Sequence, residues 1–354
     1  MVGLIYAGWI ERSPFVRRYT DIMDAEGIEY EIINWNRYSE QSTHSGNIYT
    51  YGEKVDHFVS IAAKVKPILN FRRYAKAIIR KRSYEKLVVL TTQTAVIFPD
   101  LIRQYKDRYI FDYRDASYEY LPPYKKYVSH VVGNSIITCI SSPGFREYVT
   151  GRKPIILAHN LKRASYENRN LKCVRNTGDG KITVGFVGVL REYEYFCRLI
   201  DMFGRDSRFD FRVYGGGDNI DRFREYAEKY SNVTFCGGYD EKDKDSIIET
   251  FDIMCYNYPY SFVNYPAVAN KFYDGLIHKK PMYANSDTFS GKLVRENGLG
   301  ISIGENDGQA AEKIYQYYKT FDTEAFNAQC EKMLEDIIKD DDRFSEAVRD
   351  ALKR

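Results

Sequence analysis

No stretch of this 354-residue chain approaches the ~20 consecutive apolar residues that a membrane-spanning helix needs. The first residues, MVGLIYAG, run straight into a strand, with no basic segment and long apolar stretch of the kind that directs export. The sequence therefore predicts a protein that stays in the cytoplasm. Cysteine is sparse and scattered, at Cys139, Cys173, Cys197, Cys236, Cys255 and Cys330. None forms a C-x-x-C pair, which excludes a disulfide frame and a zinc site of the usual spacing and suggests reduced thiols in the core. Charge of one sign is also lacking. A formal net charge of +3 gives no global attraction to nucleic acid, so any basic function must be local. There is no repeat of 20–50 residues and no low-complexity tract.

What remains is the composition of a globular protein, 44% hydrophobic and 29% charged, on a chain too long for one ordinary core. Tyrosine is abundant, 32 residues. Its ring and hydroxyl suit surfaces that meet sugars, although a compositional bias of the source genome explains the excess more simply. Short apolar, β-rich runs fall at 2–7, 28–33, 87–92, 109–113, 135–140 and 154–158, then at 181–187, 209–214, 232–236, 252–256, 281–284 and 299–303. Helical spacing lies between them, and that alternation predicts parallel sheets covered by helices. The segment 162–181 is rich in Asn, Arg and Gly and reads as the domain boundary. The expected layout is a first domain over 1–162, a second over 181–325, and a helix over 326–354 that can cross back to the first.

Doubly wound sheets hold ligands at the carboxyl ends of their strands. Three segments in such positions carry chemistry. ITVGFVGVLREYEYF ends a strand at Gly185–Gly188 and turns towards a helix, with Arg191 close behind. Glycine lets backbone N–H groups approach a phosphate, and a guanidinium offers forked donors to a diphosphate. The third glycine of the G-x-G-x-x-G fingerprint is absent, which argues against a nicotinamide or flavin enzyme. FDFRVYGGGD ends in Gly215, Gly216, Gly217 and Asp218; three successive glycines cost conformational entropy, and a backbone passing close to a ligand justifies them better than a plain turn. In NYPAVANKFYDGLIHKKPMYAN, Pro266 is placed to start a helix and Pro281 to stop it. Val268, Phe272 and Leu276 give that helix an apolar stripe, while Lys271, Asp274 and His278 share another face. A carboxylate there can accept ribose hydroxyls and a lysine one turn earlier can neutralise phosphate; a plain surface Lys–Asp pair is the competing reading.

With these segments in order, the second domain resembles the nucleotide-sugar half of retaining glycosyltransferases of the GT-B fold, close to the large family 4 group of bacterial polysaccharide synthesis. The matching stretches are GFVGVL, RVYGGGD, NVTFCGGY, DIMCYN, NKFYDGLIHKKP and ENGLGISI; GLIYAG, FDYRDAS, SIITCISSPGF and IILAHN match more loosely in the first domain. The resemblance implies an α/β fold class, with two Rossmann-like domains facing across a cleft. It implies a UDP- or GDP-sugar donor as substrate, no cofactor and no metal. Asp274, seven positions before Pro281, matches the ribose-binding acid, and Asn270 and Lys271 match the NK pair beside the diphosphate. The family's earlier glutamate falls on Pro266, leaving no side chain there for the transferred sugar's hydroxyls. Lys271, Arg191 and the backbone at Gly188 would stabilise charge on the leaving diphosphate, and Gly215, Gly216 and Gly217 would line the donor site.

On the acceptor side, Asp115 in FDYRDAS is the candidate for acceptor contact or a base, with helix capping the competing reading. Gly8, at the end of the first strand, would let an acceptor approach; His159 and Asn160 read as hinge or packing residues. The acceptor implied by the family is a saccharide or lipid-linked saccharide. The basic segment 64–86 offers contact with an anionic inner leaflet, its apolar face Val65, Ile68, Ala75, Ile78 and Ile79 turned inwards. Two other readings are a degenerate GT-B protein that binds without turnover, for which Pro266 speaks, and a nucleotide-sugar epimerase.

Overall fold

In the computed structural model, which describes residues 1–55, 60–175, 180–217 and 220–353, the chain divides into two compact units. One comprises Met1–His159 with Lys339–Arg354, the other Asn160–Ile338. Asp218 lies outside the described residues.

The first unit is built on a sheet of β1 (Val2–Tyr6), β2 (Tyr30–Asn36), β3 (Thr43–Ser45), β4 (Ile48–Gly52), β5 (Lys86–Leu90), β6 (Tyr109–Tyr113), β7 (Ile137–Ile140) and β8 (Ile155–Leu157). The spatial order is β3-β4-β2-β1-β5-β6-β7-β8, and every neighbouring pair is parallel except the β3–β4 hairpin. Its central strands read as unbroken apolar runs because both faces are covered, and Leu4, Ile5, Val88, Val89, Ile110 and Phe111 are all buried. The second unit holds β9 (Ile182–Val187), β10 (Phe209–Tyr214), β11 (Val233–Gly237), β12 (Ile253–Tyr256), β13 (Met282–Asn285) and β14 (Gly300–Ile303). They pair in the order β11-β10-β9-β12-β13-β14, all parallel. The chain is thus α/β with two Rossmann-like parallel-sheet units. All twelve expected strands are present. The β3–β4 hairpin was not foreseen, because the β3 side chains are exposed and carry no apolar signal.

The boundary differs from the expected one. Residues after Asn160 belong to the second unit although they are poor in apolar side chains. Polar bonds hold them there: the Asn170 N–H donates to the Ile277 carbonyl at 2.9 Å, the Cys173 N–H to Asn327 Oδ1 at 2.8 Å, and Arg169 pairs with Glu331 at 2.9 Å. The last helix, Thr323–Lys353, serves both units. Phe326, Cys330, Leu334 and Ile337 enter the core of the second. Phe344, Val348, Ala351 and Leu352 enter that of the first, where the Phe344 ring meets Tyr19 edge-on at 5.4 Å. In the first unit Arg18 pairs with Asp341 at 2.6 Å and His159 with Asp340 at 3.3 Å.

The basic segment forms the helix Ile61–Arg82. Among the residues described, Phe71, Ala75 and Ile79 are the buried ones, whereas Val65 is 49% and Leu69 46% exposed, so Val65 is not on the inward face. Arg72 reaches Asp100 at 2.6 Å, and Lys76 binds the same carboxylate. Arg82 pairs with Glu31 at 3.1 Å, so three of the helix's basic side chains are neutralised by the fold.

Candidate functional site

At the carboxyl end of β9 the chain enters Gly188, at a φ of +134° that an L side chain rarely adopts. It leaves through exposed Arg191 into the helix Tyr193–Gly204. That helix is anchored by an apolar face of Phe196, Leu199, Ile200 and Phe203 at helical spacing. The loop after β10 packs directly on this turn. The Gly188 N–H donates to the Tyr214 carbonyl at 2.9 Å, and the Leu190 N–H to the Gly216 carbonyl at 2.9 Å. A Cβ on Gly215 would stand 1.9 Å from the Gly188 carbonyl oxygen, and one on Gly217 would stand 2.5 Å from that of Leu190. These two glycines thus answer to the chain's own backbone. Gly216 is exposed, and a Cβ there would meet nothing within 4 Å.

Opposite this double glycine turn stands the helix Asn270–Ile277. It starts four residues later than Pro266 suggested. The preceding stretch is held out of helical geometry from outside: the Ala269 N–H donates to the Tyr256 hydroxyl at 3.0 Å, and the Ala267 carbonyl accepts from Ser290 Oγ at 2.7 Å. Asn270 is exposed at the first helical position, and Pro266 is buried. Lys271 is only 6% exposed. Its ammonium lies 4.1 Å from the centre of the Phe186 ring, donates to the Tyr258 hydroxyl at 2.5 Å, and would sit 3.1 Å from a Cβ on Gly188. Lys271 and the first glycine turn are therefore neighbours.

Burial above all, helped by the positive charges of Lys244 and Arg191 and opposed by Cys255 and Asp274, lowers the pKa of Lys271 to about 8. Asp274, one turn on, is shifted upwards by burial, against the pull of Lys244, whose ammonium donates to it at 2.8 Å. Lys244 is a partner that sequence reading missed; it comes from the charged run EKDKDS, which has the look of a solvated loop. His278 does not join this group. It lies beyond the helix end and binds Glu249 at 2.8 Å and Asp245 at 3.2 Å. Tyr258, which follows β12, was also missed; its position at a strand's carboxyl end was the available signal. Nearby, Asn285 donates to Glu305 at 2.8 Å and to the Tyr258 carbonyl at 2.8 Å, linking the ends of three strands.

Gly8 and Asp115 belong to the first unit, where both line a cavity of about 270 Å³ at the carboxyl ends of β1, β2, β5 and β6. A Cβ on Gly8 would come within 2.5 Å of the Tyr6 ring, so a close aromatic neighbour accounts for that glycine. Asp115 is exposed and caps no helix: the next one begins at Pro122, after Leu121. The charged residues just before it are structural. Asp112 is fully buried, pairs with Arg114 at 2.8 Å and accepts from the Tyr19 hydroxyl. Arg12 and Arg37, absent from the sequence reading, line the same cavity.

Among the described residues there is no cluster of three His, Cys, Asp or Glu side chains able to hold a metal ion, and no helix long and apolar enough to cross a membrane.

No protein-family model matches this chain, and no curated protein matches it by sequence. Solved structures do match. Anabaena HepE, solved in complex with UDP, superposes with a TM-score of 0.67 at 11% identity, covering 98% of this chain and 99% of its own. Sucrose-phosphate synthase from Thermosynechococcus elongatus gives 0.63 at 14% identity, with 99% and 94% covered. WaaG, a glycosyltransferase of lipopolysaccharide biosynthesis, gives 0.61 at 10% identity, with 98% and 99% covered. The fold is that of GT-B glycosyltransferases.

Proposed function

We propose that the chain is a glycosyltransferase that takes a sugar from a nucleoside diphosphate and passes it to an acceptor hydroxyl, in the building of a cell-surface polysaccharide. The observation that carries this reading is the buried Lys271 ammonium beside the Gly188 turn. A buried lysine with no carboxylate hydrogen-bonded to it among the described residues, next to glycine-lined backbone, is a poor structural element and a good receptor for a diphosphate. Arg191 supplies a second positive charge, and Asp274 a carboxylate for ribose hydroxyls. As the bond between the sugar's anomeric carbon and the β-phosphate breaks, the nucleoside diphosphate leaves with growing negative charge, which Lys271 and Arg191 stabilise without needing a metal ion. The acceptor oxygen bonds to that carbon and its proton passes to the departing phosphate oxygen, the course of a retaining transfer.

The HepE complex with UDP supports a uridine donor by analogy alone. Calorimetry with UDP and GDP tests the reading. One nucleotide should bind at pH 7, and its affinity should fall as the pH rises from 7 to 9, because the arriving diphosphate holds a proton on Lys271 that the free protein releases near pH 8. Phosphate is already ionised over that range, so the slope reports the lysine. Binding of neither nucleotide would sink the assignment. Binding without turnover of any donor would favour the degenerate reading, for which buried Pro266 in place of a carboxylate speaks.

A peripheral contact with anionic lipid is part of the same proposal. On the helix Ile61–Arg82, the exposed pair Val65 and Leu69 stands one turn apart, with Lys66, Arg73, Arg80 and Lys81 also exposed. Each basic side chain near such a surface contributes about 1 kcal/mol. Flotation with anionic vesicles should carry the protein at low salt and release it at high salt; protein that stays at the bottom in both rules the contact out.

A further inference from the structure

The cavity of the first unit has a charge imbalance that a neutral sugar would leave unsatisfied. Two guanidiniums, Arg12 and Arg37, line it against one carboxylate, Asp115. Neither arginine has a carboxylate partner among the described residues. Arg12 is exposed, and its guanidinium lies 4.1 Å from the centre of the Tyr38 ring and 5.3 Å from that of Trp9, an aromatic shelf that fixes its position. Arg37 donates to the Ala7 carbonyl at 2.8 Å and leans over Trp35 at 4.6 Å, yet its Nε is buried without a hydrogen-bond partner.

A second group points the same way. Thr92 is 2% exposed and lines the cavity, and its hydroxyl is buried with no hydrogen-bond partner. Buried donors left in this state cost free energy unless something arrives to meet them. The preceding residue, Thr91, lies at a φ of +72°, which is strained for a β-branched side chain and typical of functional sites. All of this sits at the carboxyl ends of parallel strands, where such sheets bind ligands.

We propose that this cavity receives an oxyanion carried by the acceptor, a phosphate or a carboxylate, held by Arg12 and Arg37 with the Thr92 hydroxyl as a further donor. Planar guanidiniums match either group through paired hydrogen bonds, and Asp115 then faces acceptor hydroxyls rather than the anion. The inference rests on the sugar-transfer reading only for calling the ligand an acceptor; the anion site itself stands on the cavity.

The chain has only two tryptophans, and both adjoin these arginines. Tryptophan emission therefore reports on the cavity. At matched ionic strength, full-length protein titrated with inorganic phosphate, glucose 6-phosphate and glucuronate should give a saturable change that glucose does not give. Comparing glucose 6-phosphate with glucuronate tells a phosphate site from a carboxylate site. Arg12→Gln, an exposed change that spares the fold, should raise the half-saturation at least tenfold, and Thr92→Val should raise it by a smaller factor. UDP affinity, measured separately by calorimetry, should be unchanged in both. No saturable response to any of the anions, an equal response to glucose, or an Arg12→Gln protein that responds like wild type overturns the proposal. Loss of UDP binding by wild type would instead strike at the sugar-transfer reading and leave the anion result to stand or fall by itself.

Discussion

Lys271→Met should give a protein that melts higher than wild type and no longer holds its nucleotide. The lysine pKa is about 8 in the fold against an ordinary 10.5. A cation whose folded pKa is depressed weakens the fold most at pH values below both numbers, because the charge must be buried. The displacement corresponds to roughly 3 kcal/mol. Methionine fills a similar volume without charge. It leaves the Tyr258 hydroxyl without its donor, a loss of about 1 kcal/mol, so the net gain is about 2 kcal/mol. For a unit of this size that is a rise of about 4–8 °C. The advantage should shrink as pH climbs from 8 towards 10.5, where wild type sheds the buried proton. Affinity for the diphosphate should fall on the order of 100-fold, the effect of losing one charged hydrogen bond. Thermal melts at pH 7 and 9.5, with calorimetry beside them, check both halves. A variant that melts lower at pH 7 would mean that the lysine supports the fold rather than a ligand.

Gly215→Ala and Gly216→Ala should part company although they are neighbours. At Gly215 the backbone stands at a φ of +137° and the new methyl would meet the Gly188 oxygen at 1.9 Å. Strain and overpacking together should cost about 3–5 kcal/mol. Gly216 faces open space, so its replacement should change stability by less than about 0.5 kcal/mol. If the open face meets the donor, Gly216→Ala should still weaken nucleotide binding tenfold or more. Denaturant melts and nucleotide titration of the two variants separate these effects. A Gly216→Ala protein that binds nucleotide like wild type removes that residue from the site.

The contrast between these glycines shows what the sequence made legible. The GGG run marks a place where side chains are excluded, but a string of letters does not say whether a ligand or a neighbouring loop excludes them. In the same way, the helix carrying Lys271 and Asp274 could be read from its apolar stripe, whereas its start at Asn270 depends on distant Tyr256 and Ser290. Lys244 is 30 residues from Asp274, and no local pattern links them. The strands were readable because burial on both faces leaves long apolar runs. The described part of the expected boundary 162–181 carries little apolar signal because polar bonds, not apolar side chains, hold it in the second unit. Arg12 and Arg37 each stand just past a strand end or in the turn that follows, a position that by itself distinguishes few arginines.

The helix Thr323–Lys353 also bears on how the protein is born. The first unit needs Phe344 and Val348, which follow the whole of the second unit along the chain, to finish its core. During synthesis at about 5–20 residues per second, its opening 159 residues must wait on the order of ten seconds or more for their last piece, with apolar surface uncovered. The second unit, continuous along the chain, has no such delay and can be complete first, although it is made later.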